Sequence, residues 1–298
     1  MSDHEDEYSD DQRVAEARRW YADEVRYASG AESEQIIEAF ATVPRERFLG
    51  AGPWQILTFS GGQARYVETP DDDPIHVYHN ALIAIDTARR LHNGSPSSWA
   101  GWLSQCHPKD GDQVLHVGCG TGYYSAILAE LIGPLGSVLA LEIDSKIAEQ
   151  ARENLMPWHQ VHVLPTDGSE FDLDSVDFIV ASAGVSDLPR PWIDRLNPGG
   201  RILVPLAAQS SKASHMTQGR MLSVTREGDA YSARFISFAS FYPCIGTQNQ
   251  SASERLLAAI GQGDEKQVRS LRIDSHEREP DCWLHGENWC LSKRQPSE

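Results

Sequence analysis

Predicted strands and helices alternate between residues 113 and 205, and no other feature constrains the fold as strongly. The predicted strands are short apolar runs, and helical patterns or turns separate them. Predicted strands cover residues 113–117, 137–142, 161–164, 176–181 and 201–205, and predicted helices cover 122–131, 145–154 and 189–195. Because parallel strands need long crossover connections, which are usually helices, this alternation predicts a doubly wound α/β sheet.

Weaker patterns before and after this alternation predict additions to the sheet. Two strand-like runs, at 221–226 and 231–238, are joined by a Glu-Gly-Asp turn and predict an antiparallel hairpin. Residues 12–105 predict an N-terminal helical cap with the substrate segment, with helices over 14–27, 33–41, 81–91 and 97–104 and loops over 51–78. We expect a disordered acidic tail over 1–11, the main domain over 106–242, and a C-terminal extension over 243–298 that packs on it.

The charge balance and the cysteines argue against several classes of partner. The formal net charge is −17, and a chain of this kind repels phosphate backbones, so nucleic acid is not an expected partner. No apolar run reaches the roughly 18–20 residues of a membrane span, and the N-terminus lacks the basic and apolar regions of a signal peptide. The five scattered cysteines predict free thiols in a reducing cytoplasm.

Two of these cysteines, Cys282 and Cys290, flank His285 near the C-terminus and raise the question of a metal site. Their spacing matches no common zinc-binding template. Trp283 and Trp289 beside them favour a packed hairpin. The prediction for this segment is therefore structural thiols without a metal ion.

A glycine-rich loop follows the first strand of the alternation, at Gly118-Cys119-Gly120-Thr121-Gly122. Glycines let the backbone turn tightly and approach a ligand where a Cβ atom would clash. Glu142 ends the next strand, where a carboxylate can bind the ribose hydroxyls of a nucleoside. Asp167-Gly168 follow the third strand, and Asp167 can there accept a hydrogen bond from an adenine amine. His116, within the first strand, is predicted to be a core histidine.

Two nucleoside ligands compete for such a loop. Dinucleotide sites use G-x-G-x-x-G, whereas here the third glycine comes one residue earlier and the sixth position is the bulky Tyr123. S-adenosylmethionine (SAM) has no phosphate, so its loop need only accommodate the methionine moiety. Together with Glu142, Asp167 and the Pro198-Gly199-Gly200 turn, the loop predicts a class I SAM-dependent methyltransferase and disfavours a dinucleotide enzyme.

Beyond these motifs, residues 35–240 resemble the protein-L-isoaspartate O-methyltransferases. The matching segments are 43–49, which reads Val-Pro-Arg-Glu-Arg-Phe-Leu, and 114–123, 136–142, 167–168 and 196–205. The resemblance implies a Rossmann-like methyltransferase fold and SAM as the cofactor. It implies a cofactor-binding role for Gly118, Gly120, Glu142 and Asp167. We extend the predicted cofactor site to Cys119, Thr121, Gly122, Tyr123 and Gly168.

The sequence departs from this family in the segment that would bind the methyl acceptor. The family has there a Ser-x-Pro-His type stretch, whose serine hydroxyl contacts the isoaspartyl carboxylate. Residues 75–81 read Ile-His-Val-Tyr-His-Asn-Ala and contain neither serine nor threonine. His79 and Tyr78 occupy this place and are the predicted catalytic residues, as orienting groups or as a general base. The difference argues against isoaspartate repair as the physiological activity.

The predicted function is SAM-dependent O-methylation of a carboxylate on a peptide or small molecule, because a carboxylate nucleophile needs no base. Other SAM chemistry on the same fold, such as N-methylation or intramolecular use of the cofactor, is one alternative. A non-catalytic SAM-binding module is another. The sequence predicts a cytoplasmic enzyme that acts away from membranes, and it leaves the oligomeric state open.

Overall fold

In the computed structural model, residues 9–61, 63–169, 171, 174–209 and 216–296 are described. The described residues form two compact units. The first comprises residues up to 107 together with 121–131, and the second comprises 108–120 and the residues from 132 onwards. Most of the predicted disordered tail lies outside the described residues. Asp10 and Asp11 correct that prediction, because they form the first turn of a helix that Ser9 caps. No helix within the described ranges is both long and apolar enough for a membrane span.

The first unit combines helices with a small antiparallel sheet. Its helices are α1 (Asp10–Ser29), α2 (Glu34–Thr42), α3 (Pro96–Cys106) and all but the last residue of α4 (Tyr123–Ile132). The strands β1 (Gln55–Ser60), β2 (Gln63–Glu68), β3 (Leu82–Asp86) and β4 (Leu91–His92) pair in the order β2-β1-β3-β4. Ser33 and Ser95 cap α2 and α3 through side-chain oxygens, so local capping signals set where these helices begin.

This sheet corrects two predictions, the helix over 81–91 and the loops over 51–78. Residues 82–86 form β3, and Ile83 pairs with Ile56 of β1. A turn that places Arg90 at a φ of 59° then leads into β4. A short apolar run is compatible with helix or strand, and only a pairing partner distant in sequence decides between them.

The second unit is built on a ten-stranded sheet. Its strands are β5 (Gln113–Val117), β6 (Ser137–Leu141), β7 (Val161–Leu164), β8 (Val176–Ala181), β9 (Leu196–Ala208), β10 (Gln218–Glu227), β11 (Ala230–Ala239), β12 (Ser270–Arg272), β13 (Cys282–His285) and β14 (Cys290–Ser292). They are ordered β13-β14-β12-β11-β10-β9-β8-β5-β6-β7. Strands β5 to β9 are parallel and the others pair antiparallel, which confirms the predicted doubly wound sheet and its hairpin.

The strand order also locates the place where a ligand should bind. The chain runs from β5 outward through β6 and β7, then returns to add β8 on the other side of β5. In open α/β sheets, ligands bind at the carboxyl ends of the strands beside such a reversal. Buried side chains of β5 and β8, among them Leu115, Val117 and Ile179, fix this edge within the core.

The C-terminal segment continues the same sheet. After β11 come α7 (Gln250–Gln262) and the three short strands β12, β14 and β13, with Ser270 paired to Ser232 of β11. The other helices of this unit are α5 (Ser145–Asn154) and α6 (Arg190–Asp194). Residues 286–289 connect β13 to β14, which pair as a hairpin.

Candidate functional site

The glycine loop turns directly out of β5 at the reversal point. Gly118 and Gly120 adopt left-handed backbone angles, with φ values of 73° and 56°, which strain residues that carry a Cβ atom. The backbone N–H groups of Gly118 and Cys119 both donate to the carbonyl of Leu141, at 2.8 and 3.0 Å. The loop is therefore fixed to the end of β6 by its own backbone, and its glycines are needed for its path.

Glu142 supports this loop with its side chain. One carboxylate oxygen, Oε2, accepts a hydrogen bond from the Gly120 N–H at 2.9 Å, and Oε1 accepts from the Asp144 N–H at 3.0 Å. Burial raises the pKa of Glu142, while these backbone donors act in the opposite direction. An ionised carboxylate has about four lone-pair sites, so each oxygen can accept a further bond from a ribose hydroxyl.

A second carboxylate, Asp167, follows β7. Its Oδ1 accepts hydrogen bonds from the backbone N–H of Ser169 at 2.9 Å and from the Ser169 hydroxyl at 2.8 Å. These bonds hold one oxygen and fix the orientation of the other. Glu142 and Asp167 thus stand after adjacent parallel strands, β6 and β7, each held by local donors. This arrangement fits a nucleoside, with one carboxylate for the ribose and one for the base.

Residues 244–246 border Asp167, and sequence reasoning missed them. A Cβ atom on Gly246 would lie 2.1 Å from both Asp167 Oδ2 and Ser169 Oγ, so a larger residue there would displace these side chains. Burial raises the pKa of Cys244 to about 11, and the negative charges of Asp167 and Glu142 add to the effect. The sequence shows only a glycine at position 246 after the predicted hairpin, and that glycine alone does not indicate a contact with Asp167.

Gly168 and His116 have structural reasons for their presence. A Cβ atom on Gly168 would lie 2.6 Å from Val117 Cγ1, and its carbonyl accepts a hydrogen bond from Trp192 Nε1 at 2.9 Å. Its predicted contact with the cofactor stays a prediction. His116 is fully buried, its Nε2 lies 2.8 Å from Ser182 Oγ, and burial lowers its pKa to about 3. It is a core histidine, as expected.

The last residues of the glycine motif belong to the first unit. Thr121 is buried, and Gly122, with a φ of 99°, begins α4 by accepting the Ala126 N–H at 3.0 Å. The Tyr123 hydroxyl lies 3.0 Å from the Tyr21 hydroxyl within a cluster of aromatic rings. The Tyr123 side chain is therefore used for packing, and a cofactor contact through its backbone stays a prediction.

The segment that should face the acceptor is held by Arg45, the arginine of the Val-Pro-Arg motif. Its guanidinium donates to the carbonyls of Val77 at 2.9 Å, His79 at 2.6 Å and Ala81 at 2.6 Å, and to Asn93 Oδ1 at 2.8 Å. Arg45 is completely buried. A single side chain from the motif thus fixes the backbone over 77–81.

Tyr78 and His79, the two predicted catalytic residues, differ in their surroundings. Tyr78 is buried, and its hydroxyl accepts a hydrogen bond from Arg18 Nε at 2.8 Å and donates to Glu46. Burial and the negative charge of Glu46 raise the pKa of Tyr78, so the phenol keeps its proton and cannot serve as a base. Of the two predicted roles of Tyr78, this geometry favours orientation over general base, and a catalytic role for Tyr78 stays a prediction. The His79 side chain is exposed beside it.

This chain is a class I SAM-dependent methyltransferase. The parallel sheet with its reversal at β5, the glycine loop, and carboxylates after β6 and β7 are the features of that class. Within the class, residues 22–240 match the family described as protein-L-isoaspartate(D-aspartate) O-methyltransferase (PCMT), and the chain belongs to this family. The match ends before the C-terminal extension.

Individual relatives agree with this membership. The protein-L-isoaspartate O-methyltransferase 2 of Archaeoglobus fulgidus is 37% identical over 178 residues, which cover 58% of this chain and 71% of the relative. The enzyme of the same family name from Aeropyrum pernix is 31% identical over 196 residues, covering 64% and 67%. A β-aspartate methyltransferase from Plasmodium falciparum, solved with S-adenosyl-L-homocysteine, has a TM-score of 0.58 at 13% identity, covering 76% of this chain and 97% of that one. At that identity the structure shows the fold alone.

Proposed function

We propose that this enzyme methylates a carboxylate oxygen of a peptide or protein, with His79 binding the acceptor. The observation that carries the proposal is the buried Arg45 clamp, which fixes the backbone over 77–81 through three carbonyls. Such a clamp costs a buried charge, and it is expected where a segment must keep one conformation to hold a ligand. The names of the relatives, all isoaspartate O-methyltransferases, support a peptide carboxylate as the acceptor.

The residues present suit a transfer that needs no proton abstraction. A carboxylate is ionised at neutral pH, so the enzyme has mainly to hold the acceptor oxygen and the methyl donor in place. When bound, SAM supplies a methyl group on a positively charged sulfur. Glu142, Asp167 and the glycine loop would hold it. Tyr78 keeps its proton between Arg18 and Glu46, which agrees with a site that uses no general base there.

His79 is the side chain of this segment best suited to contact the acceptor. Its carbonyl is fixed by Arg45, while its imidazole is exposed and can donate a hydrogen bond to a carboxylate. It replaces the hydroxyl donor that the family resemblance implies for this stretch. A longer, aromatic donor changes the size and polarity of acceptor that fits. We therefore propose an acceptor that differs from a simple isoaspartyl peptide in the residues around the carboxylate.

The experiment is incubation with methyl-labelled SAM and three acceptors: an isoaspartyl peptide, its aspartyl isomer and a peptide fraction of cell extract. We expect label in the extract fraction as a base-labile methyl ester, with weaker labelling of the isoaspartyl peptide. Glu142→Ala supplies the background of failed cofactor binding. His79→Ala should raise KM for the labelled peptide about tenfold, the loss of one hydrogen bond to a charged group, with SAM affinity unchanged.

The matched control is His159→Ala, which removes an exposed histidine from a turn of the second unit. It should leave KM unchanged. Base-stable label would contradict O-methylation and favour N-methylation. Rapid labelling of the isoaspartyl peptide, unaffected by His79→Ala, would show that the family's usual acceptor is used and that His79 has no part in binding it.

The five cysteines support a further proposal on location. All five are thiols and none forms a disulfide, which is the expected state in a reducing compartment such as the cytoplasm. Because all five thiols are buried, cells are lysed in denaturant with an alkylating reagent, and mass spectrometry of the chain should find five alkylated cysteines. A disulfide in that chain would contradict the proposal.

A further inference from the structure

Four potential metal ligands meet in the C-terminal extension, outside the family match. The ligand atoms of His276, Cys282, His285 and Cys290 all lie within 4.8 Å of one another. Both cysteines are buried and both histidines are partly buried. Sequence reasoning weighed three of these residues and rejected a metal, because the spacing fitted no template. It missed His276, which a loop brings back to the hairpin.

The hairpin of β13 and β14 aligns three of the four side chains. His285 and Cys290 are a cross-strand pair, so they share one face of the sheet. In a regular strand Cys282 would face the opposite side, because it lies three residues before His285. The register shifts between Cys282 and Leu284, and such a bulge re-aims a side chain. The irregularity is what allows Cys282 and His285 to converge.

His276 is held in the tautomer that a metal ligand needs. Its Nδ1 lies 2.9 Å from the carbonyl of Asp274, and a carbonyl can only accept, so Nδ1 carries the proton. The lone pair is then on Nε2, which lies 3.5 Å from Cys282 Sγ. Metal-bound histidines commonly use the second ring nitrogen in this way. The backbone N–H of Glu279 donates to Cys282 Sγ at 3.3 Å, a bond that stabilises a thiolate.

His285 supplies a separate sign that a ligand belongs here. Its Nδ1 is buried and has no hydrogen-bond partner among the residues that the structure describes. Buried polar atoms are almost always satisfied, so an orphan ring nitrogen needs an explanation. Its ring lies 4.9 Å from that of His276, at an angle of 76°. A cation shared by the two histidines and the two cysteines would satisfy the orphan nitrogen.

We propose that His276, Cys282, His285 and Cys290 bind one structural zinc ion. Two sulfur and two nitrogen ligands suit tetrahedral zinc, and four protein ligands leave no open position for catalysis. Zn–S bonds of about 2.3 Å and Zn–N bonds of about 2.0 Å place tetrahedral ligands roughly 3.3–3.8 Å apart. The separation of 3.5 Å between His276 Nε2 and Cys282 Sγ lies in that range.

The zinc would stabilise a hairpin that also holds the loop after β8. Trp289 Nε1 donates to Asp187 Oδ1 at 2.8 Å, and the carbonyl of Asn288 accepts from Arg190 Nη1 at 3.1 Å. Both contacts come from the tip between the two zinc-binding strands. The strands β12, β13 and β14 have only three or four residues each, and a metal ion is a common means of fixing so short an element.

The test is the metal content of the chain purified without a metal-affinity step or chelator. We expect about one zinc per chain, with X-ray absorption showing two sulfur and two nitrogen neighbours. Cys282→Ser and Cys290→Ser should lose most of the zinc, whereas Cys106→Ser, which removes a buried cysteine of α3, should keep it. Cobalt in place of zinc should give the thiolate-to-cobalt charge-transfer bands of a tetrahedral site.

Measurement on the unaltered chain keeps the test independent of whether the variants fold. A strong chelator should lower Tm of the unaltered chain, and added zinc should restore it. Purified chain without zinc that also fails to bind added zinc or cobalt would overturn the proposal. So would a disulfide between Cys282 and Cys290, detected by mass spectrometry under non-reducing conditions. None of these readouts depends on the methyl acceptor.

Discussion

Two regions of the molecule, the glycine loop with its carboxylates and the segment 77–81, are built in opposite ways. At the glycine loop, side-chain carboxylates are held by backbone N–H groups, as Glu142 is by Gly120 and Asp144. At 77–81 the backbone carbonyls are held by one side chain, Arg45. In the first region the proposed ligand groups are the fixed side chains themselves, so their identities are constrained. In the second region the backbone is fixed, and side chains such as His79 can change with the acceptor.

Removing Arg45 should have the largest effect. Arg45→Ala leaves the carbonyls of Val77 and Ala81 and the Asn93 amide oxygen without their buried donor. An unsatisfied buried acceptor costs about 1–3 kcal/mol, so we expect a loss of about 3–5 kcal/mol in the free energy of unfolding. Arg45→Lys should recover only part of it, because an ammonium cannot reproduce the planar fork. Urea unfolding measures both. Arg19→Ala, which breaks an exposed pair with Glu38, is the control and should cost no more than about 1 kcal/mol.

If Arg45→Ala unfolds like the unaltered chain, the clamp does not hold the segment and the contrast between the two regions fails. If stability falls but the remaining folded enzyme keeps its KM for the acceptor, Arg45 is purely structural.

An intermediate effect is expected on the cofactor side from Gly246→Ala. The added Cβ atom would lie 2.1 Å from Asp167 Oδ2 and Ser169 Oγ, so Asp167 must shift. We expect SAM affinity to fall about tenfold, the loss of one good hydrogen bond, as measured by calorimetry. Gly261→Ala in α7 is the control, because nothing lies within 4 Å of its added Cβ atom. Equal SAM affinity in both variants would show that Asp167 is not a cofactor ligand.

The effect that is smallest at neutral pH, and grows only in acid, concerns the pH dependence of stability. The folded-state pKa of His116 is about 3, whereas an unfolded histidine has a pKa of about 6.5. Between these values the unfolded chain binds a proton that the folded chain does not, so stability falls as pH falls from about 6.5 towards 3. His116→Gln should make this acid limb shallower by one proton, about 1.4 kcal/mol per pH unit.

Urea unfolding at a series of pH values measures that slope. His162→Gln, at an exposed position of β7, is the control. An acid limb that is equally steep in all three proteins would mean that burial of His116 is not what makes the sheet acid-sensitive.

Much of the glycine-loop region could be predicted from the sequence, since local signals define it. Short apolar runs separated by helical patterns or turns indicated the parallel strands, and Glu142 and Asp167 come soon after two of them. Parallel strands bring their carboxyl ends to one edge, so neighbours along the chain become neighbours in space. The small sheet of the first unit was missed because β1 and β3 are far apart along the chain, and only their pairing in the folded structure identifies them as strands.

The sequence by itself determined the class of protein, the place of the glycine loop and both carboxylates, because spacing along a strand-loop-helix unit is a local property. Only the tertiary structure decided that Arg45 clamps 77–81, that Gly246 closes on Asp167, and that His276 joins Cys282, His285 and Cys290. Each of these contacts joins residues from separate elements or across a bulge. Neither hydrophobic periodicity nor motif spacing predicts contacts between such residues, because these contacts form only when the chain folds.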